Sequence, residues 1–238
     1  MSDAVPPRPE SHHRNIQGGT ARAAVFGISD GLVSNVALTL GVAGASPGPG
    51  IVRLAGLAGL ISGAISMAAG EFISMTAQRE LLSRELDMEA IELRRHPESE
   101  RRELVQIYRS RGVPLETAEQ LATEMMRDPD LALETHAREE LGIDPAQLGS
   151  PVGAAASSFL AFAIGALVPL LPWLFTRGGA ALGTSIVLGA LAALVVGASL
   201  ARFTGRSAAR SAVRQLLWAA VPAAITFGIG AVVGVGVG

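Results

Sequence analysis

The sequence predicts an all-α membrane protein with five transmembrane helices and a cytosolic helical insert between the second and the third. Two observations support this prediction. Hydrophobic residues make up 49% of the 238-residue chain, and the mean hydropathy is positive, at +0.40. Charge is also unevenly placed, because all 21 acidic residues lie at or before Asp144. The chain has no cysteine, which excludes disulfides, thiolate metal sites and cysteine catalysis.

Five segments are apolar enough to cross a bilayer, which requires about 20 residues of helix. They are residues 22–45, 51–77, 152–175, 180–201 and 212–236. The last three contain no acidic residue and are rich in Gly and Ala, which let membrane helices approach closely. This divides the chain into helices one and two (21–79), the insert (80–149) and helices three to five (150–238).

The arginines predict the orientation of these helices in the membrane. Residues 1–20 are polar, contain proline and lack the apolar stretch of a signal peptide, so we expect a disordered tail. Arginines cluster in this tail and in the connection 202–214, whereas 46–50 has none and 176–179 has one. The positive-inside rule therefore predicts a cytosolic N-terminus and insert, with the C-terminus outside.

The insert is acidic and divided by proline and glycine. Residues 80–144 contain 17 acidic residues and nine arginines, a net charge of −8. The second transmembrane helix is predicted to continue without a break to His96-Pro97, where proline ends it. Further helices are predicted over about 98–110, from Pro114, and from Asp128-Pro129 to Gly142.

The spacing of the carboxylates in the insert is compatible with a metal-binding site. Glu89 and Glu92 share a helix face, and Glu100 and Glu103 repeat that spacing after the proline break. A fold at His96-Pro97 would bring the four together around a hard or borderline divalent ion such as Mn²⁺, Fe²⁺, Mg²⁺ or Ca²⁺. The alternative is a solvated acidic hairpin, and spacing alone does not decide. The insert has no Glu-x-x-His pair, so it does not match the ferritin-like di-iron pattern.

Two carboxylates lie inside predicted spans, Asp30 in the first and Glu71 in the second. A charge at the centre of a bilayer costs about 2.5–3.5 kcal/mol on insertion scales, which makes both residues functional candidates. The two spans are antiparallel across a short turn, so we expect the carboxylates to face each other at similar depth. Because no arginine lies within either span at that depth, the expected partner is a cation or a proton.

A stripe of side chains accompanies Glu71. Met67, Glu71 and Met75 are four residues apart and follow one face of the helix. Asn35 could add an oxygen ligand, and thioether together with carboxylate favours a transition metal over Ca²⁺ or Mg²⁺. The alternatives are that the methionines fill gaps between helices and that Glu71 reaches to the membrane surface.

With these residues, the chain resembles the vacuolar iron transporter family of Fe(II)/Mn(II) transporters, from about Arg22 to the fifth span. The matching motifs are SDGLVSNVALTLGVAGA (29–45), SGAISMAAGEFIS (62–74), LVPLLPW (167–173), RFTG (202–205) and the proline-split insert. The resemblance implies a homodimer of five-span subunits that exports Fe²⁺ or Mn²⁺ from the cytosol in exchange for protons. It implies a bacterial plasma membrane, no permanently bound cofactor, no enzymatic activity and no nucleic-acid partner.

The resemblance also implies roles for particular residues. Asp30 and Met67 match the family's translocation pathway. The matches to the cytosolic metal site are Glu89, Glu92, Glu100, Glu103 and Glu140. The chain departs from the pattern in two ways: Gly59 replaces a pathway glutamate, and His136 with Ala137 replaces paired methionines. His136 could bind metal itself, and the choice between Fe²⁺ and Mn²⁺ stays open.

Three classes of function are consistent with the sequence. A transporter uses both the insert and the intramembrane carboxylates. A metal-responsive membrane sensor would need the insert but not carboxylates within the bilayer. A membrane-bound oxidase of Fe(II) is disfavoured because the insert lacks Glu-x-x-His pairs. We therefore predict transport.

Overall fold

A computed structural model describes residues 19–45 and 48–235, which are largely α-helical. Apart from its last two residues, the predicted N-terminal tail lies outside this range. The helices are α1 (Thr20–Gly44), α2 (Pro49–Arg95), α3 (Pro97–Ser110), α4 (Leu115–Met125), α5 (Pro129–Glu139), α6 (Pro151–Phe175), α7 (Gly178–Thr204) and α8 (Ala208–Val235). Of these, α1, α2, α6, α7 and α8 are long and apolar enough to span a membrane. The prediction of an all-α protein with five such helices is confirmed.

The helix boundaries follow the proline signals in the sequence. Helix α2 continues for 47 residues to Arg95, and α3 begins at Pro97. Asp128 caps α5, since its side chain accepts hydrogen bonds from the backbone N–H groups of Asp130 and Leu131. Both predicted breaks are therefore confirmed, and each has the expected physical cause.

The chain forms two compact units. Among the described residues, one unit contains those up to Ile73 and from Ser150 onwards, and the other contains Ser74–Gly149. They are termed the membrane unit and the insert unit. Helix α2 contributes residues to both.

Within the membrane unit, α1 packs against α6 on one side and α8 on another. Gly31 lies so close to α6 that an added Cβ would overlap the carbonyl oxygen of Phe162. At the other end, a Cβ on Gly230 of α8 would overlap the carbonyl oxygen of Gly41. Small residues permit these backbone contacts, which provide the packing that holds helices together in a bilayer.

The insert unit has a small apolar core between α3 and α4. Leu104 and Tyr108 of α3 are buried against Ala118 and Ala122 of α4. Helix α5 is tied to the end of α3 by an ion pair between Arg111 and Glu139. These contacts fix where the acidic side chains of α2, α3 and α5 meet.

Candidate functional site

An open cavity of about 360 Å³, lined by both polar and apolar groups, lies between α1 and α2 in the membrane unit. Its described lining residues are Asp30, Ser34, Asn35, Leu38, Gly59, Ser62, Gly63, Ser66, Met67 and Phe162. The structure therefore brings together three of the predicted pathway residues, Asp30, Asn35 and Met67. Carboxylate, amide and thioether groups from two helices share one space, which is a donor set suited to a transition-metal ion.

Asn35 is held in a fixed orientation at this cavity. Its Nδ2 donates a 2.6 Å hydrogen bond to the carbonyl oxygen of Ala166 in α6, and the residue is 1% exposed. Its Oδ1 has no hydrogen-bond partner among the described residues. A Cβ on Gly59 would lie 3.1 Å from that Oδ1, so glycine at this position keeps space open above the amide oxygen. The Oδ1 atom of Asn35 is therefore free to accept a bond from a ligand, while its Nδ2 is already engaged with Ala166.

Glu71, unlike Asp30, is not among the described residues that line this cavity. Its Oε2 lies 3.9 Å from Nη2 of Arg22 in the first turn of α1, and its side chain is 17% exposed. The sequence indicated no arginine within either span at the depth of Glu71, but the side chain of Arg22 reaches it from the first turn of α1. The physical reason is the length of the arginine side chain, which extends well beyond its own helical turn.

Met75 is not among the described residues that line the cavity. It belongs to the insert unit, is 3% exposed, and its Cε approaches Gly149 so closely that an added Cβ would lie 2.5 Å away. Gly149 has a φ of 79°, which suits glycine. The predicted stripe therefore divides into Met67 at the cavity, Glu71 beside Arg22, and Met75 in a packing contact.

A second candidate site lies wholly within the insert unit. Glu89, Glu100, His136 and Glu140 each offer a ligand atom, and these atoms all lie within 4.8 Å of one another. These four residues are termed the acidic cluster. Helix α2 supplies Glu89, the first turn of α3 supplies Glu100, and the end of α5 supplies His136 with Glu140 next to it. Three separate segments therefore converge on one point.

His136 lies at the centre of the acidic cluster and is fully buried, with 0% exposure. Its Nδ1 lies 3.2 Å from Oε1 of Glu89 and 3.6 Å from Oε2 of Glu140. Neither ring nitrogen forms a hydrogen bond with the described residues, and neither does Oε1 of Glu89. Buried polar atoms normally have partners, so this arrangement leaves several potential ligand atoms available at once.

The electrostatics of the acidic cluster favour a bound cation. Burial, followed by the charges of Glu140 and Glu100, raises the pKa of Glu89 from 4.5 to about 7. The pKa of Glu100 is also raised, mainly by burial and then by Glu103. Like charges at this separation are unfavourable unless a proton or a metal ion compensates them. Both groups lie outside the predicted span 51–77.

Glu92 and Glu103 are not among the four converging residues. Glu92 lies 3.9 Å from Nε2 of exposed His96, and both carboxylates act on Glu89 through their charge. Sequence analysis missed Ser34, Ser62 and Phe162 at the membrane cavity and Arg22 beside Glu71. Ser34 follows Asp30 by one helical turn, which is the spacing that could have revealed it.

Comparison with known proteins gives consistent matches over most of the chain. The model of the VIT family matches residues 21–231. The chain is 36% identical to a vacuolar iron transporter of Acanthamoeba castellanii, over 76% of this chain and 68% of that protein. It is 33% identical to vacuolar iron transporter 2 of Oryza sativa subsp. japonica, over 74% of this chain and 72% of the rice protein. Vacuolar iron transporter 1 of Eucalyptus grandis is 30% identical over 74% of this chain and 72% of its own length.

Proposed function

Because the chain belongs to the VIT family, we propose that it transports Fe²⁺ or Mn²⁺ across a membrane and exports the ion from the cytosol. The observation that carries this proposal is the cavity in which Asp30, Asn35 and Met67 meet between two apolar helices. A carboxylate in such a place is costly unless a cation or proton neutralises it. The relatives named as iron transporters support a metal ion as that cation.

Proton exchange fits the same cavity. Asp30 can hold either a proton or part of a metal ion's charge, so metal entry would release a proton. An inside-negative potential opposes export by about 2.3 kcal/mol per charge per 100 mV, and inward proton movement would offset that cost. We propose antiport on this basis, with the tail and the insert on the cytosolic side.

The acidic cluster would collect metal on the cytosolic side. Three carboxylates and one imidazole match the ligands preferred by Mn²⁺ and Fe²⁺. His136 would supply the nitrogen ligand, while Glu92 and Glu103 would add negative charge nearby. The metal is cargo in this scheme, and no resident cofactor is proposed.

A homodimer would explain the exposure of the membrane cavity. Asp30 is exposed on the single chain, and the apolar window of α2 is only 17% buried. A lipid-facing carboxylate is unfavourable, whereas a second copy that covers α1 and α2 would enclose it. We therefore propose that the transporting form is a dimer.

Vesicles containing the purified full chain test the proposal. A transporter should take up Mn²⁺ or Fe²⁺ and move protons in the opposite direction when a pH gradient is imposed. A metal-responsive sensor would bind metal without flux, and an oxidase would consume oxygen with Fe²⁺. Binding without flux in intact, folded protein would overturn the proposal.

Metal binding to the acidic cluster should depend on pH with a defined sign. Below its pKa of about 7, Glu89 carries a proton that metal must displace. Mn²⁺ affinity should therefore rise with pH up to about 7, by at most about tenfold per pH unit for one proton, and level off above it. Calorimetry in two buffers of different ionisation enthalpy would measure the released proton.

Proton release should be larger at pH 6 than at pH 8. The Glu89→Gln variant should lose this difference, while Glu80→Gln, a charge change outside the acidic cluster, should keep it. Equal proton release at both pH values in the wild-type protein would contradict the prediction.

A further inference from the structure

The proposed function assigns no role to Arg22, which lies beside Glu71. We propose that Arg22 is a tethered counter-ion for Glu71, that an incoming metal ion displaces it, and that it thereby favours divalent over monovalent cations. This inference rests on the proposed function and assigns a specificity-determining role to Arg22.

The pair lies just beyond one end of the membrane cavity. Asp30 and Met67 line the cavity, and Leu38 and Gly59 line it further along the same helices. Glu71 is one helical turn after Met67, roughly 6 Å along α2. Arg22 is about two turns before Asp30, on the corresponding end of α1. An ion that entered from this end would meet Glu71 before it reached Asp30.

The contact combines a sheltered carboxylate with a loosely held cation. The Glu71 side chain is 17% exposed, and its Oε2 has no hydrogen-bond partner among the described residues. The Arg22 side chain is 64% exposed, and its Nη2 is 3.9 Å from that oxygen, so charge attraction acts without a hydrogen bond. Such an exposed partner is held weakly and can move into water.

Charge explains why displacement would depend on valence. A divalent ion at the same distance attracts Glu71 twice as strongly as the single charge of Arg22. A monovalent ion gains no such advantage and must compete with a tethered group of equal charge. Arg22 would therefore compensate the charge of Glu71 between transport cycles and disfavour the binding of monovalent cations to it.

A double-mutant cycle on Mn²⁺ uptake tests this role. The variants are Arg22→Gln, Glu71→Gln and the combination of both. Arg22→Gln should lower the KM for Mn²⁺ by up to about fivefold, the range that a weak ion pair allows. It should also make uptake more sensitive to competing K⁺. In the Glu71→Gln background, Arg22→Gln should have no further effect.

Two controls separate charge compensation from a structural role. Arg22→Lys keeps the charge and should retain nearly the wild-type KM. Arg206→Gln removes an arginine from the exposed connection between α7 and α8 and should leave the KM unchanged. An unchanged KM in Arg22→Gln would overturn the inference, as would an equal shift in the presence and absence of Glu71.

Mn²⁺ binding to detergent-solubilised protein provides a second measurement for the double-mutant cycle. It would be measured in a background with Glu89→Gln and His136→Asn, which weaken the acidic cluster. Arg22→Gln should tighten the remaining Mn²⁺ site only when Glu71 is present. If the wild-type chain shows no flux, the proposed function fails, whereas this binding cycle still decides the role of Arg22.

Discussion

Metal uptake into vesicles should fall by at least about 100-fold in the Asp30→Asn variant, because even indirect changes at metal sites cost about 10–100-fold. Asp30 is the only charged side chain among the described residues that line the membrane cavity. Asparagine has nearly the same shape but cannot supply the negative charge that stabilises a divalent ion or carry an exchanged proton. The loss should therefore appear in both metal flux and counter-movement of protons.

The fold should survive this substitution. The backbone carbonyl of Asp30, not its side chain, accepts the 2.6 Å hydrogen bond from the hydroxyl of Ser34. Helicity by circular dichroism and elution on size exclusion should match the wild type. Asp87→Asn makes the same chemical change at an exposed position of the insert unit and should leave uptake intact. Undiminished uptake in Asp30→Asn would remove the membrane cavity from the pathway.

The second large effect is expected in the acidic cluster. Glu89→Gln combined with His136→Asn should weaken Mn²⁺ binding at this site by about 100-fold or more, since it removes two of four converging ligands. Isothermal titration of the full chain in detergent would measure the change. Glu92→Gln serves as a matched control, because Glu92 is a nearby acidic residue outside the four, and its effect should be small.

The Glu89→Gln substitution should weaken metal binding without lowering the stability of the metal-free insert unit. The raised pKa of Glu89 means that its contribution favours folding below pH 4.5 and is lost as pH rises through about 7. At pH 8 without metal, Glu89→Gln alone should therefore keep or increase the stability of the insert unit. Thermal unfolding monitored by circular dichroism would report this change. An unchanged Mn²⁺ titration in the double variant would show that the acidic cluster does not bind the ion.

The sequence predicted the helices closely because their boundaries have local causes. Proline at 97 and the Asp128-Pro129 cap act within one helical turn, so both breaks could be identified without knowledge of the fold. The five spans follow from length and apolar composition, which also need no tertiary information.

The sites depend on contacts between distant segments, and sequence analysis was less complete there. Residue spacing grouped Glu89 with Glu92, but convergence also needs α5, and only family resemblance indicated Glu140 and His136. The Arg22–Glu71 pair was missed because the spacing of residues within α2 does not show that a long side chain from α1 reaches Glu71. Spacing also placed Met67 and Met75 in one stripe, whereas the structure gives them different neighbours.

The glycine contacts of α1 have a mechanical consequence. Where backbones touch at Gly31 and Gly230, no compressible side chain separates the helices, so α1 has little freedom to slide or tilt against α6 and α8. The wall of the cavity that α1 forms should therefore stay fixed. We expect any widening of the cavity to come from the opposite wall, where the transmembrane part of α2 supplies Gly59, Gly63 and Met67.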